Sequence, residues 1–359
     1  MLDLDYSISE LFIMGIPGTY LSLETQKNIE KYKPTQFIFF SHNFESKLQL
    51  VTLTTEIQKQ VSNYSDFPAI ISLDQEGGRV QRFRKEFTLL PTARRVGDQN
   101  SPHLAFELAK LQAKELFAAG INLNFAPVCD IHTHPDNPVI GDRAYGSTSE
   151  QVSKVVSAIV RGHASENVET CAKHFPGHGD THVDSHYALP VVNTPLVMLR
   201  QREWIPFSRA MKEGCNFVMS AHILFPDLDP EFPATFSKLF LNQILRQELK
   251  FTGVVMSDDM EMGAVVNRYG EAEAPVLALQ AGCDLLCYRS ELHALLAMDA
   301  VNKALVDKKI DPARLNNSIL KIRNVRKNLV LPSTSLSLEN RLAIIGNPEH
   351  QKQIKDQYP

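Results

Sequence analysis

The sequence has few of the features that mark secreted, membrane or nucleic-acid-binding proteins. Its N-terminus, MLDLDYSISELFIMGIPG, has neither the basic start nor the long apolar core of a secretory signal. No apolar run approaches the roughly 20 residues that a membrane helix needs. The net charge of the 359-residue chain is −4, whereas nucleic-acid binding favours a basic surface. We therefore expect no nucleic-acid or membrane partner.

Cysteine is scarce, and its five positions suggest no disulfide framework. Each cysteine falls in or beside an apolar run, and the only close pair consists of Cys283, directly before a predicted strand, and Cys287, inside the same strand. Buried, reduced thiols of this kind are typical of a cytoplasmic protein, and a cysteine zinc site is not expected. With 43% apolar and 22% charged residues, the composition is that of an ordinary globular protein.

Short apolar runs rich in β-branched residues alternate with longer amphipathic segments, which predicts alternating strands and helices. SPHLAFELAKLQAKELFAAG is the clearest helix, with Gly120 as its stop, and SKLFLNQILRQELKFTG is another. The eight predicted strands are Leu11–Ile16, Phe37–Ser41, Ala69–Asp74, Ile121–Val128, Glu169–Phe175, Phe217–Ile223, Gly253–Asp258 and Asp284–Tyr288.

Eight strand–helix units without a glycine-rich dinucleotide fingerprint favour a closed α/β architecture, the (β/α)8 TIM barrel, over an open sheet. We expect one barrel domain over residues 1–330, followed by a C-terminal tail, 331–359, that packs on the barrel or extends from it. The predicted long loops after strands are 75–102, 129–148, 176–194 and 224–235.

Ionisable side chains stand at the carboxyl ends of the predicted strands, where barrel enzymes carry their active sites. These side chains form a ring with both positive and negative charges. Such a ring suits a neutral, hydroxyl-rich ligand better than a phosphate, which would favour a mainly cationic site. His222 is expected to be a packed strand-end residue or a subsite wall. The residues of the ring are Asp74, Arg143, Lys173, His174 and Asp258.

Several segments resemble glycoside hydrolase family 3, in particular its bacterial single-domain β-N-acetylglucosaminidases of the NagZ type. The fourteen-residue stretch KHFPGHGDTHVDSH, followed on a later strand by SDD, is the most specific of them. The other matching segments, in family order, include LFIMGIPGT, FIFFSHNFES, LDQEGGRVQRF, NFAPVCDIHTHPDNPVIGDRAYG, SAHILFPDLDP and GVVMSDDMEMGA.

The resemblance implies a retaining β-N-acetylglucosaminidase that needs no cofactor and no metal. Asp258 would be the nucleophile, and Asp184 with His186 would form the acid/base dyad. The substrate would be a cell-wall fragment with a terminal N-acetylglucosamine on anhydro-muramic acid, and we expect a monomer. The sugar-binding positions implied by the resemblance are Asp74, Arg82, Arg143, Lys173 and His174.

The chemistry is consistent with these residue types. Retaining hydrolysis needs a nucleophile and an acid/base, commonly carboxyl groups about 5–5.5 Å apart. In an extended segment the side chains of Asp184 and His186 would face the same way, so the carboxylate could orient the imidazole. Gly177 and Gly179 suggest that this loop swings when substrate binds. His178 and His182 are given no catalytic role.

The sequence alone leaves three alternatives open. A metal-dependent amidohydrolase would use His132 and His134 as an HxH pair, although that class carries HxH after the first strand and not after the fourth. In the family, asparagines usually stand at these two positions. A glycoside phosphorylase on the same fold would pass the sugar to phosphate. A sugar-binding module on an inactive barrel is disfavoured because Asp258 and the dyad are both present.

Overall fold

In this computed structural model, the described residues are 8–182 and 189–358. Eight short parallel strands form the centre of the fold, and an additional two-stranded hairpin follows the third of them. The barrel strands are β1 Phe12–Gly15, β2 Gln36–Phe39, β3 Ile70–Leu73, β6 Leu123–Asn124, β7 Glu169–Phe175, β8 Phe217–Ser220, β9 Val254–Asp259 and β10 Leu285–Tyr288, and the hairpin strands are β4 Gln75–Gly77 and β5 Val80–Gln81.

The eight strands close into a barrel in the order β1-β10-β9-β8-β7-β6-β3-β2. Closure joins the first and the last strand of the barrel, because β1 pairs in parallel with β10 (Phe12 with Leu286) as well as with β2 (Met14 with Phe37). Almost all side chains of these strands are buried, as expected when both faces of a parallel sheet are covered. The predicted (β/α)8 TIM barrel is therefore confirmed.

Helices surround the barrel, and most begin at a serine, threonine, aspartate or asparagine whose side chain accepts a hydrogen bond from the first turn. The predicted helix that stops at Gly120 is α4, which ends there with Gly120 at φ 88°. The helices are α1 Leu23–Tyr32, α2 Lys47–Val61, α3 Ala93–Asp98, α4 Pro102–Ala119, α5 Ser149–Ala164, α6 Leu196–Met198, α7 Trp204–Lys212, α8 Gly263–Ala281, α9 Glu291–Val306, α10 Pro312–Arg326, α11 Leu338–Ile344 and α12 Pro348–Gln357.

Two helical segments have π-type hydrogen bonding. Leu239–Glu248 is the second helix expected from the sequence, and Leu199–Glu203 joins α6 to α7. None of the helices within residues 8–182 and 189–358 combines the length and the apolar character needed to cross a membrane.

The strand after α4 is shorter than predicted. The sequence predicts Ile121–Val128, but β6 spans only Leu123–Asn124. Pro127 follows, and since proline has no N–H it cannot continue a central ladder. Only one bridge, between Val128 and Lys173, continues the pairing with β7.

The segment after residue 330 forms two helices that contact the barrel. The Arg341 guanidinium of α11 donates from Nε to the Ala118 carbonyl at the end of α4 (2.8 Å). His350 of α12 contacts Glu115 of α4, with 2.7 Å between Nδ1 and Oε1. The side chains of Arg341 and Glu115 are buried in these contacts.

Candidate active site

A cavity of about 230 Å³ opens at the carboxyl ends of the barrel strands. Its wall is mostly polar and charged, and loops after β3, β6 and β7 contribute most of it. The lining residues are Asp74, Arg79, Val80, Arg82, Pro138, Val139, Arg143, Lys173, His174, His178, Met219 and Asp258. All the sugar-binding positions expected from the sequence, and Asp258, therefore line one cavity.

A largely buried series of alternating positive and negative side chains, here called the ladder, runs along one side of this cavity. Lys173 in β7 places Nζ 2.7 Å from Asp74 Oδ1 and 2.6 Å from Glu76 Oε1. Arg143 binds Glu76 in a bidentate manner, at 2.8 and 2.7 Å. Arg82 binds the other oxygen of Asp74 at 2.9 Å. Each carboxylate is thus held between two cations, a geometry that fixes its orientation.

The ladder keeps its members ionised. Burial alone would raise the pKa of Glu76, but Arg143 and Lys173 outweigh it and lower the pKa to about 2. Burial likewise opposes ionisation of Asp74, yet Lys173 and Arg82 hold its pKa well below the usual range. Burial lowers the pKa of a lysine, but Asp74 and Glu76 raise the pKa of Lys173.

His174, the next residue in β7, is held by a carboxylate beneath it. Its Nδ1 lies 2.6 Å from Asp130 Oδ2, and its backbone N–H donates to both oxygens of Asp130 at 3.2 Å. Burial raises the pKa of Asp130, but His174 outweighs it and the pKa is lowered. Because a carboxylate only accepts, Nδ1 of His174 is the protonated nitrogen and Nε2 faces Arg143, 3.5 Å from Nη2.

Asp258 lies near the end of β9, and one of its carboxylate oxygens accepts a hydrogen bond from the backbone N–H of Asp259 (2.8 Å). Burial raises its pKa, but His174, His222 and the backbone hydrogen bond outweigh burial, and the pKa is lowered. The group is therefore an ionised carboxylate at neutral pH. Asp259 differs, since burial raises its pKa to about 7.

His222 is a buried wall residue. Its Nε2 donates to the Asp259 carbonyl at 3.1 Å, and its Nδ1 lies 2.9 Å from Thr235 Oγ1. Burial lowers the pKa of His222, which favours the neutral imidazole.

The loop after β7 begins with a fixed base. Asn137 donates to the carbonyls of His178 and Gly179, both at 2.9 Å, and the backbone N–H of His178 donates to Asp130 at 2.8 Å. Asp184 and His186, the dyad expected from the sequence, lie outside the described residues. Their role as the acid/base pair therefore stays a prediction.

Two carboxylates at the centre of the site were not chosen from the sequence. Glu76 joins Arg143 to Lys173, and Asp130 orients His174. Glu76 lies in LDQEGGRV, two residues after Asp74, and Asp130 follows the fourth predicted strand, so their positions near strand ends were the available signals. Arg79, which donates to the Val139 carbonyl at 2.6 Å, is a further lining residue that the sequence pattern did not single out.

His132 and His134 lie on the loop after β6, and the rings of His134 and His182 stand 4.0 Å apart between centroids. The Nδ1 atoms of His132 and His134 have no hydrogen-bond partner among the described residues. Within that part of the chain, no three histidine, cysteine or acidic side chains converge as metal ligands. The HxH pair of the amidohydrolase alternative thus has no third ligand there.

Comparison with known proteins agrees with this geometry. Residues 4–325 match the glycosyl hydrolase family 3 N terminal domain. A beta-hexosaminidase of Idiomarina loihiensis is 37% identical over 279 residues, which cover 76% of this chain and 82% of that protein.

Solved structures give the same result. A glycoside hydrolase family 3 beta-N-acetylglucosaminidase from a Paenibacillus species has a TM-score of 0.91 at 35% identity, covering 99% of this chain and 68% of that one. NagZ from Neisseria gonorrhoeae, solved with N-trifluoroacetyl-D-glucosamine, has a TM-score of 0.79 at 30% identity, with 97% of both chains covered.

The chain belongs to glycosyl hydrolase family 3. It is a glycoside hydrolase on a TIM barrel, and the single-domain NagZ type is the branch that it matches.

Proposed function

We propose that this protein is a retaining β-N-acetylglucosaminidase that removes a terminal, non-reducing N-acetylglucosamine. The β-hexosaminidase activity for which its relatives are named supports the reaction class. The observation that carries the proposal is one cavity in which the ionised Asp258 carboxylate stands with Asp74, Lys173 and Arg143. Such a wall offers charged donors and acceptors to sugar hydroxyls.

In the first step, an Asp258 oxygen attacks the anomeric carbon while the glycosidic bond breaks. His186, oriented by Asp184, donates its proton to the leaving oxygen. In the second step, His186 takes a proton from water, and the water oxygen displaces Asp258 from the sugar. The lowered pKa of Asp258 supports the first role, because only the ionised carboxylate is a nucleophile.

The charged ladder would hold the sugar ring during both steps. Asp74 and Lys173 lie side by side and offer an acceptor and a donor for neighbouring hydroxyls. Arg143 and His174 are fixed by Glu76 and Asp130 and would contact the rest of the N-acetyl sugar. Because these side chains are already held in place, little ordering is needed on binding.

The proposed substrate is a cell-wall fragment in which N-acetylglucosamine is joined to anhydro-muramic acid, with or without a peptide. The match to the NagZ type supports this choice. The proposal places the enzyme in peptidoglycan recycling, as a monomer in the cytoplasm, and five free, buried cysteines are consistent with a reducing compartment.

The experiment is to measure release of N-acetylglucosamine from nitrophenyl β-N-acetylglucosaminide, from chitobiose and from N-acetylglucosaminyl-anhydro-muramic acid. We expect cleavage of all three substrates with net retention at the anomeric carbon. Of the two disaccharides, N-acetylglucosaminyl-anhydro-muramic acid should have the higher kcat/KM. Failure to cleave any β-N-acetylhexosaminide would overturn the activity. A higher kcat/KM for chitobiose would overturn the cell-wall substrate.

The same assay separates hydrolysis from phosphorolysis. We expect free N-acetylglucosamine as the product, at a rate that is the same in phosphate and in phosphate-free buffer. A sugar phosphate as the main product would favour the phosphorylase alternative.

A further inference from the structure

Glu203 is a buried carboxylate that the proposed mechanism does not use. It lies where Leu199–Glu203 joins α7, with only 2% of its surface exposed. One oxygen, Oε1, accepts from Arg202 Nε at 2.5 Å. The other, Oε2, is buried and has no hydrogen-bond partner among the described residues. An unsatisfied buried oxygen of this kind costs free energy, so its position calls for an explanation.

The side chain of Glu203 packs against the first glycine of the loop after β7. A Cβ added to Gly177 would lie 2.9 Å from Glu203 Oε2 and about as close to its Cβ and Cγ. Gly177 also has φ 128°, a conformation that residues with a Cβ rarely adopt. Glu203 therefore fills the space beside Gly177 and restricts the direction in which the loop leaves β7.

Arg202 extends this contact to the next part of the loop. Its guanidinium binds Asp180 as well as Glu203. Asp180 Oδ2 also accepts from Thr194 Oγ1, at 2.6 Å. Asp180 is therefore bound both to Arg202 and to Thr194, which lies 14 residues further along the chain.

The opposite side of this loop base rests on the loop after β6. A Cβ on Gly179 would lie 1.8 Å from the Ile131 carbonyl oxygen, and Asn137 binds the carbonyls of residues 178 and 179. The charged groups that face Glu203 are Arg202, Asp180 and Asp130. Burial raises the pKa of Glu203 to about 7, which fits a group that acts through its shape as much as through its charge.

We propose that Glu203 is a positioning residue of the active site. With Arg202 it fixes the loop base from Gly177 to Asp180, and so fixes the point from which the chain continues to Asp184 and His186. Asp184 is the fourth residue after Asp180, and a chain of that length reaches about 14 Å at most. The inference rests on the proposed acid/base role of that dyad.

The test uses the leaving-group dependence of kcat/KM. A methoxyphenyl leaving group needs a proton from the general acid, whereas a dinitrophenyl group leaves without one. General acid catalysis is worth about 10²–10⁴-fold, so a displaced acid loses part of that factor. For Glu203→Ala we expect kcat/KM for methoxyphenyl β-N-acetylglucosaminide to fall at least about 10-fold, and that for the dinitrophenyl substrate to fall less than about 3-fold.

Three further variants complete the design. Asp180→Asn leaves α7 intact and should show the same selective loss, at least about 5-fold, which keeps the test valid if Glu203→Ala does not fold. Glu203→Gln keeps the shape and should retain the wild-type pattern. The matched control is Glu248→Ala, because Glu248 is an exposed carboxylate that binds Arg200 on the same helical segment as Arg202. This control variant should leave kcat/KM unchanged for both substrates.

The outcomes are distinguishable. An equal loss on both substrates, or no loss, in folded Glu203→Ala and in Asp180→Asn would overturn the positioning role. If the wild-type enzyme cleaves neither substrate, the proposed function itself is wrong. If the wild-type enzyme cleaves both substrates but the variants lose kcat/KM equally on both, the proposed function stands and only the inference about Glu203 is wrong.

Discussion

At the scale of single residues, the site is built from buried charges that stabilise one another. Lys173 is 1% exposed and lies between Asp74 and Glu76, each of which also binds an arginine. Transfer of such charges from water is costly, and only close pairing offsets the cost. The ladder thus holds the proposed sugar-binding groups in place at some expense of stability, as is common in active sites.

Replacement of Lys173 by methionine tests this balance. The change leaves Asp74 and Glu76 facing each other without their shared cation, and we expect the free energy of unfolding to fall by about 3 kcal/mol. Urea denaturation followed by circular dichroism would measure it. Lys154→Met is the control, because Lys154 forms an exposed pair with Glu150 and should change stability by less than about 0.5 kcal/mol. Equal losses in the two variants would contradict the account.

Sequence reasoning selects residues by their place near strand ends, and this explains which cavity residues it names and which it does not. Asp74, Lys173, His174 and Asp258 follow or end predicted strands, and all line the cavity. Glu76 was missed because it lies in the hairpin after β3. Its contacts with Arg143, 67 residues away, depend on how two loops fold over the barrel, which periodicity does not encode.

At the scale of elements, the C-terminal helices complete the end of α4. The last carbonyls of a helix have no partner within it. In α4 the Ala118 carbonyl accepts from Arg341 Nε, and Nη1 of the same guanidinium reaches Thr55 Oγ1 in α2 at 3.3 Å. α11 therefore joins two barrel helices through one buried side chain.

Arg341→Ala is expected to lower the free energy of unfolding by about 2 kcal/mol, because the Ala118 carbonyl loses a charged donor and the buried stem leaves a gap. Thermal and urea denaturation would show the change. Glu339→Ala, an exposed position on the same helix, serves as the control and should be nearly neutral. If Arg341→Ala were as stable as that control, α11 would contribute little to the barrel.

The element pattern was predictable where local signals were strong. α4 ends at Gly120 as expected, because a left-handed residue stops a helix. The sequence predicts a loop over 75–102, where the structure has the hairpin β4–β5, since these strands have three and two residues and are too short for alternation to be detected. Helices α11 and α12 were not predicted either, because their apolar faces are small.

At the scale of the whole molecule, the two ends of the barrel carry different clusters of charged side chains. The candidate active-site cavity lies at the carboxyl ends of the strands, whereas Asp284 precedes β10 at the opposite end. Asp284 is fully buried and binds Arg246, Arg314 and Lys321, with Lys321 Nζ at 3.0 Å. In TIM barrels the amino-terminal end of the strands serves stability.

Asp284→Asn should therefore destabilise the protein without changing its chemistry. Three cations lose their shared carboxylate, so we expect the free energy of unfolding to fall by about 3–5 kcal/mol. The kcat of the folded fraction should stay within about two-fold of the wild-type value, because the site lies at the other end of the strands. A large fall in kcat with unchanged stability would show that the two ends are not separable in this way. Glu150→Gln, in an exposed pair, is the control.

Closure of the barrel was predictable from eight repeats, although no local signal encodes the pairing of β1 with β10. The convergence of the active-site residues followed from that closure, because parallel strands bring their carboxyl ends together. The position of His186 relative to Asp258 could not be predicted in the same way. It depends on the path of a long loop, and His186 itself lies outside the described residues.

The central claim is that Asp258 forms a covalent bond with the sugar. The most direct measurement is to incubate the enzyme with a fluorinated N-acetylglucosamine analogue that slows the second step, and to map the modified peptide by mass spectrometry. The account predicts a single glycosylated peptide with the sugar on Asp258, and no adduct in Asp258→Asn. Attachment at any other residue, or an equal adduct in that variant, would contradict it.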